Sequence, residues 1–147
     1  MAIVVAIVGA SFLIWFIPVS NPALTESEII SDVYARHNDL LGNVELMFED
    51  WRKGNATSDD ILDKIGAART DIQGMRDQIE DASPGAQWQR SFDLYVQALE
   101  SSTQYLDAIE TRVNAGDTSE PDTEISDLMS KWRALVDESV AAMPLAQ

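Results

Sequence analysis

A chain of 147 residues has room for one domain of ordinary size. Its 25 acidic side chains against 10 basic ones leave a net charge of −15, a balance that repels nucleic acid and the anionic inner leaflet of a membrane. The absence of cysteine removes disulfides, thiolate metal sites, iron–sulfur clusters, covalent c-type haem, cysteine nucleophiles and an acylated lipoprotein cysteine.

The charge is unevenly placed. Met1 to Ile17 carries none, whereas every Asp, Glu, Lys and Arg lies from Glu26 onward. As a helix the uncharged stretch would rise about 26 Å, at the short end of what crosses a bilayer core of about 30 Å. Ile3, Ile7, Phe12 and Leu13 supply its apolar surface. Trp15 and Phe16 fall at its far end, where an amphipathic ring sits at headgroup level. A cleaved signal peptide would start with basic residues and end in a small-x-small cleavage site, and the segment shows neither pattern. Pro18 and Pro22 stop a helix and stiffen the short segment between them. The sequence therefore predicts a retained transmembrane anchor over residues 1–17, a proline-containing linker over 18–24 and an acidic helical domain over 25–147.

The first helix is signalled by Thr25 and Glu28, which form a capping-box pattern, and it stops at Gly54. Its apolar seam runs Ile30, Val33, His37, Leu40, Val44, Met47, Trp51, with Leu41 and Phe48 as flanking apolar positions. The second begins near Thr57 and carries Ile61, Ile65, Ala68, Ile72, Met75 and Ile79 before the Ser83-Pro84-Gly85 break, which is also the expected cap of the next helix. Gly66 and Gly74 interrupt this helix and mark either a close helix approach or a weaker helix. The third carries Trp88, Phe92, Tyr95, Leu99, Ser102, Leu106, Ile109 and Val113, ending at Gly116. The fourth carries Ile125, Leu128, Trp132, Leu135, Ser139 and Met143.

Acid-before-base pairs four apart (Asp32 with Arg36, Glu49 with Lys53, Asp60 with Lys64, Asp127 with Lys131) repeat the helical period independently. No stretch shows the alternation of a strand. Short connections between helices of similar length favour antiparallel neighbours. The expected fold is thus all-α: a single N-terminal transmembrane helix followed by an antiparallel up-down four-helix bundle.

Residues able to do chemistry are few. His37 is the single histidine and lies on a seam, which reads as a hydrogen-bonded core imidazole, with a pH-sensing or metal role as the alternative. The carboxylates are numerous but unorganised, and the acidic loop from Asp117 to Glu124 lacks the glycine and ligand spacing of an EF-hand. The sequence contains no Gly-rich phosphate loop, Gly-x-Ser-x-Gly or His-Glu-x-x-His. Neither catalytic residues nor a metal or cofactor are expected. Trp51, Trp88 and Trp132 read as core, with an exposed partner-contact patch as the alternative. Asn55-Ala56-Thr57 is a glycosylation sequon, which together with the acidic charge places the domain on the external or periplasmic side.

The function expected is a non-enzymatic accessory or structural subunit, anchored in the lipid bilayer and docked on other membrane protein subunits. A basic soluble protein is a further candidate partner for the acidic head. An extracytoplasmic ligand-sensing bundle is the first alternative and a pilin-like filament subunit the second. The pilin reading is weakened by Pro18, which interrupts a continuous spine.

Overall fold

A computed structural model describes residues 24–120 and 123–144. Those residues form four helices and no strand: α1 (Glu26–Arg52), α2 (Ser58–Asp81), α3 (Gln89–Asn114) and α4 (Thr123–Ala141). The anchor positions Ile3, Ile7, Phe12, Leu13, Trp15 and Phe16 lie outside the described residues. Among the described residues no helix is long and apolar enough to cross a membrane.

The cross-helix contacts fix the topology. Arg36 of α1 meets Gln78 of α2, while Trp51 meets Ser58 at the other end. Arg69 of α2 reaches Asp107 and Glu110 of α3, and Arg76 reaches Glu100 at 3.2 Å. Ser91 at the start of α3 bonds Ser139 near the end of α4. Arg133 of α4 closes the ring on Glu45 of α1 at 3.1 Å. Each successive pair runs with rising numbers on one helix against falling numbers on the next, so the ring is up-down-up-down, with α1 and α3 parallel across the diagonal.

The helix ends explain why the segments start and stop where they do. Thr25 caps α1 in a complete capping box with Glu28, and Thr57 does the same for α2 with Asp60. Because the Asp60 carboxylate turns back to Thr57 at 2.7 Å, it serves the cap rather than the expected pair with Lys64. Two helices end in Schellman turns. Gly54 and Gly116 take φ of 75° and 66°, and the following amides close on Asp50 O at 2.8 Å and Arg112 O at 3.2 Å. The start of α3 differs from expectation. The Ser83-Pro84-Gly85 break ends α2, but α3 begins only at Gln89, after a turn closed by Trp88 N on Gly85 O at 2.8 Å. Trp88 itself holds the cap position and offers no side-chain acceptor.

The core is made of one stripe per helix. All six expected α2 positions are buried, as are Phe92 to Val113 along α3. On α1 the expected Ile30, Val33, His37, Val44 and Trp51 are buried, but Leu41 and Phe48 are buried in place of Leu40 and Met47, which pack against the core only partly. On α4 Val136 is buried, while Leu128 and Leu135 are partly so. A helix in a ring of four faces two neighbours at once, so its apolar stripe is wider than a two-stranded seam and both flanks are used. Leu40 accordingly lines the shallow α1–α2 cleft beside Met75.

Gly66 and Gly74 mark no close approach: a Cβ built at either meets nothing within 4 Å, and both are exposed. Gly66→Ala and Gly74→Ala are therefore expected to stabilise the bundle by about 0.5–1 kcal/mol each in chemical denaturation. Gly54→Ala should instead destabilise by about 1 kcal/mol, because its positive φ is unfavourable to a side chain.

Candidate functional site

Apart from the buried Ser91–Ser139 pair, the polar groups inside the bundle gather in two larger clusters. The first centres on His37, which is fully buried. Its seam position on α1 sends the ring across the core toward α3 and α4. Nε2 lies 2.8 Å from Ser102 Oγ, Nδ1 lies 3.3 Å from the Tyr95 hydroxyl, and the Trp132 ring stands 5.2 Å away centroid to centroid.

The proton positions follow from the acceptors. Ser102 donates its hydroxyl proton to Ala98 O at 2.9 Å, one turn back on α3, so its oxygen is left to accept from His37 Nε2–H. Nδ1 then carries a lone pair, which accepts from the Tyr95 O–H. The chain Tyr95 to His37 to Ser102 to Ala98 is complete with a neutral imidazole. A second ring proton would face the Tyr95 oxygen and displace its donor. Burial disfavours the charged ring in the same direction, pulling the His37 pKa down from 6.5 to about 4. Burial also pushes the Tyr95 phenol up, so it remains a donor.

This arrangement ties three helices to one ring and leaves no free imidazole nitrogen for a metal or a substrate proton. Among the described residues no group of three or more His, Asp or Glu side chains is placed to hold a metal ion. The structural reading of His37 accordingly fits its surroundings.

The second cluster lies at the far end, where α1 and α3 end and α4 begins. Arg112, only 6% exposed, donates to the carbonyl oxygens of Asp117, Ser119 and Glu120 at 3.1, 2.8 and 2.6 Å, and to Ser119 Oγ at 2.6 Å. Arg52 joins it from α1, donating to the same Ser119 carbonyl at 3.0 Å and pairing with Glu49 at 2.6 Å and Glu120 at 3.1 Å. Two guanidiniums thus organise the oxygens of the acidic α3–α4 loop that a cation would otherwise use. The Asp117 carboxyl is lowered by its bonds to Ser119 and, more weakly, by these arginines.

Trp51 is buried, stacked on Phe48 at 5.7 Å, with its indole N–H on Ser58 Oγ at 3.1 Å. Trp132 is buried beside His37, away from the helix ends, with the Arg133 guanidinium 5.3 Å over its ring. Neither presents a surface to a partner; Trp88 is half-buried at the start of α3. Asn55 is exposed in the α1–α2 turn. The sequence reading missed Arg112 and the reciprocal Ser91–Ser139 pair, each hydroxyl donating to the other residue's carbonyl at 2.9 and 2.8 Å. Arg112 had a faint signal as a cation in a last turn. Ser91 had none.

His37 should stay neutral by NMR titration to about pH 4, unambiguously because it is the single histidine. Its folded pKa lies below the unfolded one, so it contributes nothing above pH 6.5 and lowers stability as pH falls from 6.5 to 4, by on the order of 3 kcal/mol. His37→Gln, which keeps a donor and an acceptor, should remove that part of the slope in urea titrations at stepped pH. Arg112→Ala should cost about 2–3 kcal/mol by the same assay.

No family model matches the chain, and neither a curated protein nor a solved structure matches it.

Proposed function

We propose that the chain is a non-enzymatic accessory subunit, held in a lipid bilayer by residues 1–17, whose acidic four-helix bundle docks on the external or periplasmic face of a larger membrane complex. The observation that carries the reading is the division of labour along the chain: an uncharged stretch from Met1 to Ile17, then a bundle with a net charge of −15. The single histidine and the most buried arginine are both engaged within the bundle, His37 in the α1–α3 link and Arg112 on the α3–α4 loop. A surface of this charge favours a basic partner face and disfavours nucleic acid. Asn55, exposed in a turn, suits a compartment where glycans are added.

The test is extraction of native membranes in mild detergent, followed by size separation and mass spectrometry. The chain is expected in the membrane fraction, migrating with larger membrane proteins at fixed stoichiometry. Recovery as a lone small species would overturn the accessory-subunit reading and favour the ligand-sensing alternative. Recovery in the aqueous fraction would overturn the anchor.

A further inference from the structure

The seam between α1 and α4 is the most sparsely packed of the four. At the end of the bundle where α1 begins and α4 finishes, it opens into an apolar cleft of about 540 Å³. Ile30 forms its floor, Tyr34 and Val140 its lips and Met143 one end, with Ser31 and Asp137 at the rim. Tyr34 is 40% exposed and Val140 43%, and Leu24, immediately before α1, is 54% exposed. Three of the four large exposed hydrophobics among the described residues therefore sit at this one end, and Leu46 is the fourth.

The chain that enters α1 at this same end is the apolar stretch Phe12-Leu13-Ile14-Trp15-Phe16-Ile17, followed by Pro18 to Ala23, the first six residues of the linker. Six linker residues span up to about 20 Å. Leu24 to Tyr34 covers about 15 Å along α1. The reach is sufficient, and a short tether gives a local concentration that a free ligand rarely attains. The volume lies within the ~300–1,000 Å³ typical of ligand clefts, enough for a few large side chains and not for the whole stretch. An uncharged occupant meets no like charge at Asp137, whereas anionic ligands would. Met143 supplies an adaptable wall.

We infer that the α1–α4 cleft receives the chain's own Trp15-Phe16-Ile17 when no bilayer is present, sheltering the most aromatic part of the apolar stretch until lipid competes for it. This goes beyond the accessory-subunit reading and stands independently of it, since the docking partner belongs to the same chain.

The chain of 147 residues contains no cysteine, which allows a direct test by paired cysteines. Phe16→Cys with Tyr34→Cys places one thiol on the occupant and one on the lip. Phe16→Cys with Asp32→Cys is the control, since Asp32 is exposed on the other side of the same stretch of α1 and similarly distant along it. Both α1 positions are on the surface, so neither substitution disturbs the core. In dilute detergent-free buffer under mild oxidation, the Tyr34 pair should close within one chain about ten-fold faster than the control, reflecting the tethered local concentration. Phosphatidylcholine vesicles should slow it to the control rate. Equal rates without lipid would overturn the proposal, and so would disulfides forming only between chains, which would assign the cleft to a second copy. Fast closure that persists with vesicles supports the docking while counting against the bilayer anchor, so the two ideas fail separately.

Discussion

Four helices that all carry excess acid repel one another, and burial of one apolar stripe per helix is what holds them together. A fully buried Leu, Ile or Phe contributes about 1.5–3 kcal/mol, and the core contains Ile30, Leu41, Ile61, Ile65, Leu99, Leu106 and Ile109 at 0–1% exposure. Surface ion pairs are individually worth far less. Their placement still counts: Arg36, Arg69, Arg76 and Arg133 each contact a neighbouring helix, and Arg76 lies between Glu80 of its own helix and Glu100 of α3. The excess acid is left to face solvent.

Within that stripe several buried polar groups are satisfied by geometry, whereas Ser101 Oγ and the Trp132 indole N–H are buried with no hydrogen-bond partner among the described residues. His37 bonds through both nitrogens, and Ser91 and Ser139 satisfy each other's hydroxyl and carbonyl. Such groups specify which helix face meets which, since an alternative rotation of α1 would bury the imidazole without partners. Acid lability then has two sources in separate windows. Burial of neutral His37 acts between pH 6.5 and 4. The caps act lower, because Glu28 and Asp60 are held below their ordinary values by bonds to Thr25 and Thr57 and lose that contribution only as they protonate.

The fold was legible because its signals are local and periodic. The capping box at Thr25, the start of α2 near Thr57, the terminal glycines at 54 and 116, and the α2 stripe all follow from spacing alone, whereas the return of Asp60 to Thr57 competes with the equally well-spaced pair to Lys64. What escaped depends on the ring rather than the helix. Whether Leu40 or Leu41 is central is decided by how α1 sits between its neighbours, and the late start of α3 is decided by a turn at Gly85 that no side-chain cap announces. His37 could be placed on the core face, but its partners on α3 lie 58 and 65 residues away and carry no local signal. Arg112 serves a loop whose shape exists only after folding.

The unequal seams also bear on how the bundle assembles. Three of its helix pairs are sequence neighbours joined by short connections, so most native contacts form between residues close along the chain, the pattern of a rapid folder. The α1–α4 seam is the exception, since it unites the two ends of the domain across the longest loop closure and does so with the sparsest packing. Nascent chain leaving a ribosome could complete α1, α2 and α3 as a three-helix intermediate before α4 exists. That intermediate would expose chiefly the α3 face around Ser91 that α4 covers, together with the flank of Ile30 and His37 on α1.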